Sequence, residues 1–457
     1  MKKYFGLGLC LLGVLPAMAG AADNRLAQAV RSSDHAAIKS LLAAHANVNA
    51  PLPDKSSVLA WAVDRQDAQA VQMLLAAGAR PNVTDIDGAS PLTLACELGG
   101  TQIVIDLIAA GADARATRLD GIAALALCAG TSTPETLKTL LAKGADVNAA
   151  DPSGQTALMW AAAKGRTENI AVLIAQGANV NAVSRAGFTP LFFALRSKVA
   201  PASLALLDAG ANNKSVLPDG TSVVAAALAN DNLPFAITVV SRGTDLTQRD
   251  AKGRQLLHVA AASGKADLVK MVLSKGVDAN ALSEPPPAPP PAPRPVQVAG
   301  GGAKIAAADG TRPPPPPAVA TPPLVLAAEA GSAPAMKALV DAGAKVNIKA
   351  ADGTTMALAA AASGNVDAMK YALQLDPDMS AIGPEGKSIM HYAIANKNPD
   401  LAIPMLQYLA DKGAKLDVPN AKGDTPGDFI NRGGQQDIRL FYIQLLKDHG
   451  IVSSHDH

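Results

Sequence analysis

The stretch Ser153–Ala182, SGQTALMWAAAKGRTENIAVLIAQGANVNA, decides the fold, because most of the chain repeats it. Its closing phrase is a pair of aliphatic residues followed by Gly-Ala-x-x-Asn-Ala. The aliphatic pair opens at Leu41, Leu74, Leu107, Leu140, Leu173, Leu206, Val239 and Val272, each step being 33 residues. The next opens at Leu339, 67 residues on, which is two periods plus one residue, and Ala372 and Leu409 follow. A fixed period of this size is the signature of stacked supersecondary units.

One unit reads as two short helices. Thr189-Pro190-Leu191 starts the first helix of its repeat, with Thr as N-cap acceptor and Pro at a position that forfeits no hydrogen bond. Ala161-Ala162-Ala163 keeps the first helix slim, so that neighbouring units can approach closely. Gly165 breaks the chain, and Ile170, Leu173 and Ile174 give the second helix one apolar face. Gly177 stands where that helix must end in a left-handed residue. In the first unit His45 occupies this place, a tolerable exchange in that region. Such a helix pair cannot bury its apolar face alone, whereas a stack can.

These residues resemble the ankyrin-repeat pattern, Asp-x-x-Gly-x-Thr-Pro-Leu-His-x-Ala-Ala closed by Leu-Leu-x-x-Gly-Ala-x-x-Asn. The pattern is seen in Asp151…Gly154-Gln-Thr156-Ala-Leu158, in Gly187-Phe-Thr189-Pro-Leu191 and in Asp250…Gly253 with Leu257-His258-Val-Ala260-Ala261. The resemblance covers roughly residues 24–451. It implies an all-α solenoid of stacked helix-turn-helix units with short hairpin-like fingers, about twelve repeats in all. It also implies a protein-binding scaffold, although partners differ widely across such arrays.

The ends and one interior segment depart from the period. Lys2-Lys3, the apolar run Tyr4–Leu15 and small residues at Ala19 and Ala21 predict a bacterial-type signal peptide over residues 1–21. Cleavage near Ala19 or Ala21 would deliver the protein to the periplasm or outside the cell. Repeats one to eight then occupy 22–283, repeats nine to twelve with a closing helical cap occupy 322–451, and 452–457 is a tail. Between the arrays, 284–321 carries proline runs and Gly300-Gly301-Gly302. The uninterrupted phase makes this a loop inserted between two repeats, either a tolerated insertion or an arm forming a second partner contact.

Composition narrows the function. Hydrophobic residues make up 49% and aromatics 3%, which suits Ala/Leu-rich helices. A net charge of +1 speaks against nucleic acid, which needs a basic face. Of the three cysteines, Cys96 and Cys128 lie beyond the leader in or beside an alanine column. Helices packed roughly 8–10 Å apart would hold them beyond disulfide reach, so both are expected as buried free thiols.

Nothing in the chain declares a reaction. His258 and His391 share a repeat column three units apart, too far to share a metal, and are expected to tie down their own turns. His449, His455, Asp456 and His457 read as a solvated end. Trp61, Trp160, Phe193 and Tyr392 share one apolar column and are expected in the core. Asp87, Asp120, Asp151, Asp219 and Asp352 recur once per turn, as turn formers do. The chain is therefore read as a non-enzyme that needs no cofactor and no metal.

The resemblance places partner contacts on the concave side, at finger tips and exposed first-helix positions. Carried over by position these are Ile86, Asp87, Ala89, Glu97, Leu98, Arg118, Ile122, Gln155, Lys164, Arg185, Phe188, Arg196, Lys252 and Arg254. Phe188 and Arg185 are the best anchors, since aromatics and Arg dominate binding hot spots. The alternative function is an accessory or protective subunit of a periplasmic redox enzyme or cytochrome, a role the leader permits.

Overall fold

The computed structural model describes residues 20–52, 55–247, 249–250, 252–284, 320–433 and 436–451. The leader up to residue 19, the Pro/Gly-rich segment 285–319, and His455, Asp456 and His457 lie outside the described residues. The chain divides into two units, Met1–Asn212 and Asn213–His457.

In the first unit, helices follow one another in pairs. α1 (Gly20–Arg31) packs with α2 (His35–Ala43), α3 (Val58–Asp64) with α4 (Ala68–Ala76), and α5 (Pro91–Leu98) with α6 (Thr101–Ala109). α7 (Ala124–Thr131) packs with α8 (Pro134–Ala142), α9 (Ala157–Ala163) with α10 (Thr167–Ala175), and α11 (Pro190–Arg196) with α12 (Ala200–Asp208).

The second unit repeats the scheme. α13 (Val223–Ala229) packs with α14 (Leu233–Ser241), α15 (Leu256–Ala262) with α16 (Ala266–Leu273), and α17 (Pro323–Glu329) with α18 (Ala333–Asp341). α19 (Met356–Ser363) packs with α20 (Val366–Leu375), α21 (Ile389–Ala395) with α22 (Pro399–Asp411), and α23 (Pro426–Gly433) with α24 (Gln436–Asp448). Within each unit first helices stack on first helices and second on second. No strand occurs among the described residues. The loops touch through isolated antiparallel bridges, Thr117–Ala123 and Ala150–Thr156 in the first unit and Val216–Ser222 in the second. The fold is the all-α solenoid of helix-turn-helix units that the resemblance implies.

The repeated aliphatic residue is the reason the units stack. Leu74, Leu107, Leu140, Leu173 and Leu206 are all fully buried, as are Val239, Val272 and Leu339 in the second unit. Burying each such side chain stabilises the stack by roughly 1.5–3 kcal/mol. Leu41, in α2, is only half-buried. Gly177 ends α10 in the left-handed region at φ 86°, and His45 takes the same conformation at φ 60° after α2. Thr189 does occupy the N-cap of α11, but its hydroxyl makes no capping bond. Ser57, Ser90, Ser222 and Thr355 do cap their helices.

The asparagine of the closing phrase clamps successive repeats together. Nδ2 of Asn49, Asn82, Asn148 and Asn181 donates to the carbonyl of the glycine that ends the next unit's second helix, at 2.9–3.2 Å. Its Oδ1 accepts a backbone N–H two residues beyond that glycine, at 2.8 Å in each case. Arg115 replaces Asn in one unit and its Nε still reaches the Gly144 carbonyl at 2.9 Å.

In the second unit the same clamp joins Asn280 to Gly343 at 3.0 Å across 63 residues of chain. Ser283 Oγ accepts from the Thr321 N–H at 2.8 Å. α15 packs on α17 and α16 on α18.

The cysteines differ from expectation. Cys96 in α5 and Cys128 in α7 form a disulfide, with Cα atoms 4.4 Å apart. Helix separation is measured between axes, and each Cα stands about 2.3 Å off its own axis. Two facing Cα atoms across an interaxial gap of roughly 9 Å therefore come within about 4.4 Å. The one-place offset between the two positions is what lets them face each other, because the side of α5 turned to α7 is not the side α7 turns back.

Candidate functional site

The fingers are built by acidic residues in the role their spacing suggests. Asp151 Oδ1 accepts the N–H groups of Ser153 and Gln155, both at 2.8 Å. Asp250 does the same for Lys252 and Arg254 at 2.9 Å. Asp120, Asp219 and Asp352 each accept the N–H two residues on. In the finger around Asp87 the acceptor is instead Asp85, whose Oδ1 takes the N–H of Asp87 and Ala89. Successive fingers are also bonded: Leu119 N–H donates to the Asp87 carbonyl and Arg185 N–H to that of Ser153.

The predicted contact residues of the first unit fall into two electrostatic groups. At one end Arg118 bridges Glu97 and Asp120 at 2.8 and 2.7 Å, so this cation is already neutralised. Ile86 is 61% exposed and Leu98 44%, while Asp87 and Glu97 are exposed and Ala89 and Ile122 are half-buried. At the other end Lys164, Arg185 and Arg196 are exposed, and Gln155 and Phe188 half-buried. Among the described residues no ion pair involves Lys164, Arg185 or Arg196. Phe188 rests on Phe192 at 6.4 Å and on Phe193 at 5.8 Å between ring centroids.

In the second unit Lys252 is exposed, and Arg254 pairs with Asp250 at 2.7 Å. Together they border a cleft of about 400 Å³ with Ser283, Thr321, Leu326 and Glu329.

The aromatic column expected in the core is only half-buried. Trp61, Trp160, Phe193 and Tyr392 each keep part of the ring accessible, because the first helix turns this position toward its open side. Their surroundings differ. Arg31 covers Trp61, with its guanidinium carbon 4.9 Å from the ring centroid. Tyr392 lies 3.5 Å from the Thr354 hydroxyl. Trp160 Nε1 is buried without a hydrogen-bond partner among the described residues.

The two column histidines are structural, but they reach beyond their own turns. His391 Nδ1 accepts from the Ser388 hydroxyl at 2.9 Å and from its backbone N–H at 3.2 Å, so Nε2 carries the proton and donates to the Asp424 carbonyl of the next finger at 3.1 Å. His258 is fully buried and its Nε2 bonds the Ala281 carbonyl at 2.9 Å. Among the described residues its Nδ1 has no partner, because Gln255 stands where the other helix has the Ser388 hydroxyl. Burial pushes His258 down to about 4; the Ala281 bond opposes this and Arg249 and Arg254 add to it. His449 Nδ1 bonds the carbonyl of Leu445 in its own helix. Among the described residues no group of three or more His, Cys, Asp or Glu is arranged to hold a metal ion. None of their helices is long and apolar enough to cross a membrane.

Comparison with known proteins agrees with this geometry. The family model for ankyrin repeats (3 copies) matches residues 26–118, 122–216 and 324–422, and that for the single ankyrin repeat matches 252–284. A 107-residue stretch is 35% identical to the E3 ubiquitin-protein ligase KEG of Arabidopsis thaliana, covering 23% of this chain and 6% of that protein. A 101-residue stretch is 29% identical to the potassium channel AKT1 of the same plant, covering 22% and 11% respectively. The chain thus spans only a small part of either relative's length. With family models matching well over half of its residues, this chain belongs to the ankyrin-repeat family.

Proposed function

We propose that this protein is an exported, non-catalytic scaffold of about twelve ankyrin repeats that binds another protein through its fingers and first helices. Ankyrin repeats are general protein–protein interaction modules, so the coarse role comes with the family. The observation that carries the finer reading is the open face of the first unit. There Lys164, Arg185 and Arg196 are exposed and unpaired beside half-buried rings, whereas the second helices spend their apolar residues on stacking. Rings and guanidinium groups are the side chains that anchor interfaces. Export to the periplasm rests on the leader at residues 1–21, and the Cys96–Cys128 disulfide supports an oxidising compartment. The insertion between the arrays is retained as a second contact.

Crosslinking in the native compartment, followed by mass spectrometry, tests this reading. Crosslinks from one co-purifying protein should map to finger and first-helix positions such as Lys164 and Lys252. Crosslinks confined to second helices would overturn it. The identity of the captured protein also separates this reading from an accessory subunit of a periplasmic redox enzyme or cytochrome.

A further inference from the structure

Resting on the scaffold reading, we infer that the open face over α9 and α11 takes an acidic segment of its partner. Aromatic or aliphatic side chains of that segment seat on Trp160, Phe188 and Phe193, and its carboxylates meet Lys164, Arg185 and Arg196.

Three observations converge on this chemistry. The first is charge. Arg118 at the α5–α7 end is closed by Glu97 and Asp120, but the cations at the α9–α11 end have no such partner among the described residues. Glu168, four residues beyond Lys164, pairs with none of them. An incoming carboxylate therefore displaces no internal ion pair there, and like-charged segments are rejected.

The second is the rings. Trp160 and Phe193 hold equivalent places on adjacent packed helices, and Phe188 leans on Phe193 from the finger above. Unlike Trp61, which Arg31 covers, Trp160 has no cation seated over its ring among the described residues. Half-exposed rings beside unpaired guanidinium groups make a surface with apolar and ionic anchors side by side.

The third is the indole. Trp160 Nε1 is shut off from solvent with no acceptor among the described residues, whereas most buried polar groups are hydrogen-bonded. A slight tilt of the ring would present this N–H to a backbone carbonyl of a chain lying across the helices. Beside it on α9, Ala163 is small and exposed.

The test uses the full chain and a synthetic peptide, acetyl-Glu-Asp-Phe-Glu-Asp-Leu-Glu-Asp-amide, against its Gln/Asn counterpart of the same order. Binding is followed by calorimetry, and by Trp160 fluorescence in a Trp61→Phe background, where Trp160 is the sole tryptophan. The acidic peptide should bind at least about tenfold tighter than the neutral one. That advantage should shrink with added salt, as it does for solvent-facing charges. Arg185→Ala with Arg196→Ala should remove it, while Lys138→Ala on the exposed side of α8 should leave it intact.

Unchanged circular dichroism certifies each variant, and the salt dependence of the parent chain tests the inference without any variant. Equal binding of the two peptides, or an advantage that survives loss of both arginines, overturns it. The titration judges this patch alone, whereas the native crosslinks judge the scaffold reading, so the two fail separately.

Discussion

Opening the Cys96–Cys128 bridge should destabilise the first unit by an amount the structure allows one to estimate. The bond ties positions 32 residues apart in sequence. In the chain-entropy account, closing a loop of that length lowers the free energy of folding by about 3.7 kcal/mol. Both sulfurs lie in the packed seam between α5 and α7, and both cysteines are fully buried. Native strain and residual unfolded structure usually reduce the entropic figure, so a measured loss of about 2–4 kcal/mol is expected.

The loss should be local, because a repeat stack is held by nearest-neighbour contacts and can open in parts. Trp61 in α3 and Trp160 in α9 flank the bridged helices and report on that region. Urea unfolding followed by their fluorescence should shift to lower denaturant on adding dithiothreitol, and in the Cys96→Ala/Cys128→Ala variant. The double variant should be indifferent to reductant. The reasoning would be refuted by coincident unfolding curves for oxidised parent, reduced parent and variant. It would equally be refuted if denatured, never-reduced protein showed Cys96 and Cys128 reacting with a thiol reagent.

Three further outcomes follow from particular residues. His258 has its folded-state value lowered to about 4 from 6.5, so its contribution to stability is complete above pH 6.5 and is lost as the pH falls toward 4. The full amplitude is on the order of 3 kcal/mol. Burial lowers His391 as well and adds to the same acid-side slope, so thermal midpoints measured across this window should fall, and less steeply in His258→Leu. Gln255→Ser should supply His258 Nδ1 with the donor that Ser388 gives His391, raising stability by about 0.5–1.5 kcal/mol in denaturant titrations. Replacing residues 285–319 with a short turn should leave the thermal midpoint nearly unchanged, since each doubling of loop length costs only about 0.6 kcal/mol and the Asn280–Gly343 clamp lies outside the deleted segment. A cooperative loss of helix on that deletion, seen by circular dichroism, would show that the segment packs on the array.

What the sequence by itself determined is everything that depends on one unit at a time. The 33-residue period, the buried Leu at the head of each closing phrase, the left-handed residue at Gly177 and His45, and the Asp-built turns are all local. Each follows from the conformational limits of a few neighbouring residues, and stacking repeats them. The candidate contact residues were legible for the same reason, as positions in a column.

Tertiary structure alone decided what each column faces. Cys96 and Cys128 meet because two helix surfaces, offset by one place, approach within bonding distance, and no spacing rule states that offset. The asparagine clamp spends its bonds on the next repeat, so its partner is invisible within one unit. Arg118 and Arg185 look alike in sequence, yet one is neutralised by Glu97 and Asp120 and the other faces solvent. The aromatic column reads as core because its neighbours are Leu, yet Trp160 and Phe193 stand half uncovered on their first helices. Period is a property of the chain, but burial and pairing are set by the rotation and separation of helices in adjacent units.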